Sequence, residues 1–268
     1  MRPRLALCAL AAAASAYRAA NFDISTDLAL AYACGRQCQE AVAAGSKIDR
    51  LMFGDDFDFD FYASADNLTN SRPGNILKLE AMDATQRTFK KGTKAWRFQY
   101  TTVDLDGSLV PATAFIAFPS AVTGQSGHDN SSTTMGQKRF RLVAWAHGTS
   151  GLFRGCAPSN GPGLFDYGTW QPLVSRGYAV VATDYAGLGN DHTLHKYGSF
   201  RTHAADVYYS AVAARNVFGH ALTREWMSAG HSQGGGAVWK LAESGLVRHD
   251  TAAPRAPRRT CAGTRRPW

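Results

Sequence analysis

The sequence predicts an α/β fold, a mostly parallel sheet with helices on both of its faces. Three observations predict it. From Arg141 to Glu243 apolar strands alternate with helical segments, the order that builds a parallel sheet covered on both sides. Glycines close those helices, at Gly177, Gly219 and Gly245, where a chain must stop and turn. And 45% of the 268 residues are hydrophobic, enough to fill the core of one large domain or of two small ones.

The elements follow in chain order. Arg2 and Arg4 precede a ten-residue apolar run, Leu5–Ala14, and Ala14-Ser15-Ala16 supplies a small-residue cleavage site. This layout predicts a signal peptide over 1–16 and a secreted protein; the run is too short to span a bilayer, so no stable membrane insertion is expected. Export predicts paired cysteines. Cys34 and Cys38, with Gly35 between them, are placed to pair locally. Asn67-Leu68-Thr69 and Asn130-Ser131-Ser132 are glycan acceptor sequences. Residues 27–44 read as one Ala-rich helix.

Residues 55–61 alternate acid and aromatic. Asp56, Asp58 and Asp60 match the first ligand positions of a calcium loop, but Phe61 stands where glycine is needed and Asn67 where glutamate is. The segment reads as an ordinary loop or edge strand. A hairpin follows. Trp96, Phe98 and Tyr100 share a face of its first strand, Val110, Ala112, Ala114, Ile116 and Phe118 a face of its second, and Asp106-Gly107 makes the turn. Residues 121–138, rich in Ser, Gly, Thr and Asn, read as a surface loop.

Then the pattern changes to strand Arg141–Ala146, helix Trp170–Ser175, strand Tyr178–Thr183, helix His203–Phe218, strand Glu225–Ala229 and helix Gln233–Glu243. There are no internal repeats. Charge adds an exclusion. Arg2, Arg4 and the five arginines of 251–268 account for seven of the net +8. The body is nearly neutral and has no basic stripe, so nucleic acid is not an expected partner.

The chemistry concentrates at Gly230-His231-Ser232-Gln233-Gly234, a G-x-S-x-G sequence between a strand and a helix. There it makes a nucleophile elbow, the signature of the α/β-hydrolase fold. So tight a turn forces strained dihedrals on Ser232, and Gly230 and Gly234 remove the Cβ atoms that would clash. The helix that follows aims unpaired N–H groups at the same spot. The Gln233 N–H is thereby a candidate oxyanion donor. The second donor is expected from the loop after the third strand, at the Thr149 N–H of His147-Gly148-Thr149, with Gly148 as the other option.

Four segments carry a family resemblance. His147-Gly148-Thr149-Ser150-Gly151, Gly155-Cys156-Ala157-Pro158-Ser159, Ala182-Thr183-Asp184-Tyr185-Ala186-Gly187-Leu188-Gly189 and Gly230-His231-Ser232-Gln233-Gly234-Gly235-Gly236 resemble, in order over 50–250, the fungal secretory lipases, Candida antarctica lipase A-like α/β-hydrolases. The resemblance implies a secreted serine esterase acting on acylglycerols and related esters at a lipid–water interface, without metal or organic cofactor. No protein partner is implied. Ser232 matches the nucleophile, the loop around Thr149 the oxyanion region, and Cys156 a cysteine that in the family pairs with one further along.

One part of the pattern is missing. The fold supplies its triad in the order Ser, acid, His, and after Ser232 come only Glu243, His249 and Asp250. Glu243 lies on the helix leading away from the elbow, and His249 precedes Asp250. His231 flanks the nucleophile and His147 braces the oxyanion turn. His192 and His195 lie in a loop of mixed polarity, where no further metal ligand is identified, and His203 and His220 bracket a helix as capping or surface residues. Residues 251–268 carry five Arg and three Pro without apolar period and read as a basic, disordered tail unrelated to the family. The expectation is a partial hydrolase domain over 17–250, shortened by a frame shift or a mispredicted exon. It would lack the C-terminal strands, leave the strand Glu225–Ala229 with an open edge, dissolve poorly and hydrolyse little. The alternatives are a secreted carboxylesterase or peptidase of the same fold, or a non-catalytic hydrolase-like protein.

Overall fold

The computed structural model describes residues 21–83, 89, 92–120, 139–151, 153–165 and 167–248. The signal-peptide segment 1–16, the loop 121–138 with its Asn130 sequence, and the tail 251–268 lie outside these residues.

Helices α1 (Thr26–Ala31) and α2 (Arg36–Phe53) open the chain, followed by α3 (Phe59–Tyr62), β1 (Ile76–Met82), β2 (Lys94–Val103), β3 (Leu109–Phe118) and β4 (Phe140–Ala146). Then come α4 (Tyr167–Ser175), β5 (Ala179–Thr183), α5 (Phe200–Phe218), β6 (Leu222–Gly230), α6 (Gln233–Glu243) and α7 (Gly245–Arg248). The six strands form one sheet in the order β1-β2-β3-β5-β4-β6. The alternating half of the sequence builds its parallel part, β5-β4-β6, while β1, β2 and β3 are joined to it by antiparallel pairings.

The sheet is covered on both faces, as the apolar runs require. Ala114, Ile116, Leu142, Ala144, Ala179 and Val181 face α5 and α6, while Phe115, Val143, Trp145, Val180 and Ala182 face Trp170 and Val174 of α4. Successive residues of β3, β4 and β5 therefore enter opposite cores, and both cores are apolar. The hairpin faces meet on the first side, where Trp96 pairs with Ile116, Phe98 with Ala114 and Tyr100 with Ala112.

Three expectations change. The single helix over 27–44 is two, because the chain breaks at Ala33 (φ 53°) and Gly35 before α2 runs on to Phe53. The Cys34–Cys38 disulfide closes that break. The segment 55–61 is neither plain loop nor edge strand. Asp58 accepts a hydrogen bond from the Phe61 N–H at 3.0 Å and caps α3, burying Phe61 and Tyr62. And β1 had no counterpart in the sequence reading; its mixed burial gives no period-two signal. At the other side of the sheet β6 pairs only with β4 among the described residues.

Candidate active site

The site sits where β4, β5 and β6 end. Ser232 stands one residue beyond the end of β6 at Gly230 and immediately before α6, with φ 52° and ψ −116°, a left-handed conformation that costs a side-chain-bearing residue about 1–3 kcal/mol. Its neighbours show why it persists. A Cβ on Gly230 would lie 2.3 Å from the Gly234 carbonyl oxygen, and one on Gly234 1.9 Å from that of Ala146. Backbone thus meets backbone on both sides, and only glycine fits. The side chains of His231 and Ser232 are exposed at the mouth of the turn.

Gln233 is the first residue of α6, and its N–H has no hydrogen-bond partner among the described residues, as a helix start leaves it. The turn after β4 packs against the elbow. A Cβ at Gly148 would meet His231 Nδ1 at 2.9 Å and Ser232 Cβ at 3.5 Å. Thr149 is exposed, and its hydroxyl donates to Gln233 Oε1 at 2.8 Å. The structure therefore brings together Ser232, Gln233, Thr149, Gly230 and Gly234, the five residues singled out from the sequence.

The floor of the site had been only partly foreseen. Tyr185, the second residue after β5, also has positive φ, 68°. Its ring lies 4.4 Å from His147 and 4.5 Å from His203, centroid to centroid, and its hydroxyl donates to the His147 carbonyl at 2.9 Å. His147 braces the turn after β4, its Nδ1 2.6 Å from the Gly148 carbonyl. His203 corrects the reading. It is neither cap nor surface residue: α5 begins three residues earlier, and His203 is buried at 1% exposure. Burial, then the neighbouring His195 and His147, push it down to about 3. His195 is lowered as well, chiefly by burial, against a hydrogen bond to Ala186. His220 is exposed, as expected.

Two carboxyls support the floor. Asp184 accepts from the Ser159 N–H at 2.8 Å and from Thr113 Oγ1 at 2.5 Å, tying the 159 loop to β3. Burial pushes it up to about 6 despite those bonds. Asp206 accepts from the Ala186 N–H at 3.2 Å and is pushed up to about 7 by burial. Neither His195 nor His203 is hydrogen-bonded to a carboxylate among the described residues. Glu243 lies at the far end of α6, bonded to Trp239 and Lys240. Cys156 is buried and forms no disulfide among the described residues, and burial raises its thiol far above the usual range. Among the described residues no group of three or more His, Cys, Asp or Glu side chains could hold a metal.

Solved structures decide the fold. A mutant of the rice cell wall degrading esterase LipA from Xanthomonas oryzae is similar at 22% identity, covering 69% of this chain and 49% of that one, with a TM-score of 0.51. A protein from Legionella pneumophila described as a hydrolase is similar at 21% identity, covering 67% and 49%, with a TM-score of 0.50. The chain has the α/β-hydrolase fold. Candida antarctica lipase A in its closed state gives 18% identity, 71% and 42% coverage and a TM-score of 0.46. This α/β-hydrolase chain spans about half the length of the first two structures it matches. No protein-family model matches the sequence, and no curated protein does.

Proposed function

We propose that the chain is the nucleophile-bearing part of a secreted serine ester hydrolase of the lipase type, with acylglycerols or related esters as substrates. The conformation of Ser232 carries the reading: an exposed hydroxyl on a left-handed turn between β6 and α6, with two glycines that admit no Cβ. Ser232 would attack the ester carbonyl. The oxygen that becomes negative would be met by the N–H groups of Gln233 and Thr149, a term whose loss costs about 3 kcal/mol per donor in such enzymes. The resemblance to fungal secretory lipases and the named activity of the rice cell wall degrading esterase LipA support the ester as substrate. The Cys34–Cys38 disulfide suits an oxidising, extracellular location. Among the described residues no helix is long and apolar enough to cross a membrane.

A serine is a weak nucleophile without a base to take its proton. In the described residues His195 and His203 lack the carboxylate that would orient one for that task. Turnover by this chain alone is therefore expected to be slow, resting on the oxyanion site and binding. Imidazole can stand in for the base. The full chain is incubated with a short p-nitrophenyl ester in imidazole buffer, and the acyl group is located by mass spectrometry. Acylation of Ser232, absent in Ser232→Ala, is the expected result. A folded chain with no acyl group on Ser232 overturns the reading.

A further inference from the structure

The hydrogen bonds around Gln233 run in one direction. His195 Nδ1 lies 3.1 Å from the Ala186 carbonyl oxygen. A carbonyl only accepts, so neutral His195 carries its hydrogen on Nδ1 and a lone pair on Nε2. That lone pair faces the Gln233 side-chain nitrogen at 3.3 Å, and His203 Nδ1 faces the same nitrogen at 3.5 Å. Only the amide NH2 satisfies the His195 lone pair; His203 is also hydrogen-bonded to the Lys196 backbone, so the orientation rests on His195. The carboxamide oxygen must then point at Thr149, whose hydroxyl donates to it at 2.8 Å. The hydroxyl hydrogen of Thr149 is thereby committed, and its backbone N–H remains as the donor toward the mouth.

We infer that Gln233 and His195 are positioning residues that set the spacing of the two oxyanion donors, through a one-way relay from the Ala186 carbonyl to Thr149. The inference rests on the ester-hydrolase reading of the site. Its logic is that Gln233 supplies one donor from its backbone while its side chain holds the residue that supplies the other. Gln233 is buried at 8% exposure and His203 at 1%, so no bulk water competes for the amide NH2 from the inside.

The relay depends on a neutral His195. The groups around it favour that form. Burial penalises a charge on it, and Lys196 beside it opposes a further positive one; His203 on α5, itself held neutral, and His147 on the turn after β4 lie on its other side. The rings of Tyr185, Tyr197 and His203 enclose it. Asp104 is engaged by Lys196, and Asp206 is turned to the Ala186 N–H. Protonated, His195 would present Nε2–H to an amide NH2. The carboxamide would have to turn over, and its NH2 would face Thr149 instead.

Side-chain nitrogen NMR of the full chain tests this without substrate. At neutral pH His195 is expected with its hydrogen on Nδ1. Gln233→Glu places a second acceptor against Nε2 and is expected to move the hydrogen there and raise the His195 pKa, which a packing role would not do. Gln233→Met keeps the volume and removes the relay. Ser232 acylation in imidazole is expected to slow about tenfold or more through misplacement of Thr149, with the ester concentration for half-maximal rate unchanged. His195 found with its hydrogen on Nε2 in the wild type, or a Gln233→Met chain that acylates at the wild-type rate, overturns the inference. A wild type that takes no acyl group fails the reading of the site instead, and the His195 tautomer still decides whether the relay exists.

Discussion

Two turns at the same end of the sheet carry the same backbone strain and treat it in opposite ways. Ser232 after β6 and Tyr185 after β5 both hold positive φ, 52° and 68°. Ser232 is exposed. Tyr185 is fully buried, its N–H on Thr183 Oγ1 at 3.0 Å and its hydroxyl on the His147 carbonyl at 2.9 Å. At one turn the strain lifts a reactive group into solvent. At the other it locks a ring beneath the turn after β4. Strain alone therefore does not single out Ser232; strain together with exposure and orphaned N–H groups does.

The largest expected effect comes from the glycines that permit the first turn. Gly234→Ala would drive a Cβ to 1.9 Å from the Ala146 carbonyl and 2.8 Å from that of His147. Both are backbone atoms at a strand end and cannot swing aside. The variant is expected to lose about 3 kcal/mol or more in denaturant unfolding. A loss under about 1 kcal/mol would mean that the elbow has room the structure does not show. Tyr185→Phe probes the second turn. It leaves the ring between His147 and His203 and removes only the hydroxyl that binds the His147 carbonyl. The expected cost is about 1–2 kcal/mol, with the 147–149 turn loosened, seen as faster amide exchange there than in β1.

Only the first of these turns was legible in the sequence. G-x-S-x-G names a local solution to a local problem, and the glycines stand two residues from the serine on each side. The parallel strands were legible for a related reason: both faces are buried, so the runs are apolar throughout. The floor was not. His195 and His203 reach Gln233 across 38 and 30 residues of chain, and nothing in a loop of mixed polarity signals such a meeting. His203 looked like a cap because its helix was placed to begin with it; beginning at Phe200, α5 turns that residue inward. The break between α1 and α2 was hidden by alanines that suit a helix on either side of it. The Asp-Phe alternation of 55–61 suggested a strand by its period, yet Asp58 uses its carboxylate to cap a helix instead.

The buried floor should also show in the acid response. His203 has its folded pKa lowered to about 3, so its stabilising neutral state is fully present above the unfolded value and is lost as pH falls below it. Asp206, pushed up to about 7, acts with the opposite sign: the folded state keeps its proton, and stability falls as pH rises from about 4 toward 7. The two slopes oppose each other across that window. His203→Gln removes one of them, and its stability relative to wild type is expected to improve by about 1.4 kcal/mol for each pH unit below 6.5. A pH-independent difference between the two proteins would mean that folding leaves the His203 pKa unshifted.

The smallest effect returns to the comparison itself. Ser232→Gly keeps the turn and removes the Cβ that makes φ 52° costly. Glycine gains freedom in the unfolded chain as well, which offsets part of the relief. The net expectation is a stabilisation of about 1 kcal/mol over Ser232→Ala, which keeps the Cβ and the strain. At Tyr185 the same replacement should do the reverse, because the ring contacts to His147 and His203 outweigh any relief at φ 68°. Equal unfolding midpoints for Ser232→Gly and Ser232→Ala would show that the elbow stores no strain, and the two turns would then differ only in what they expose.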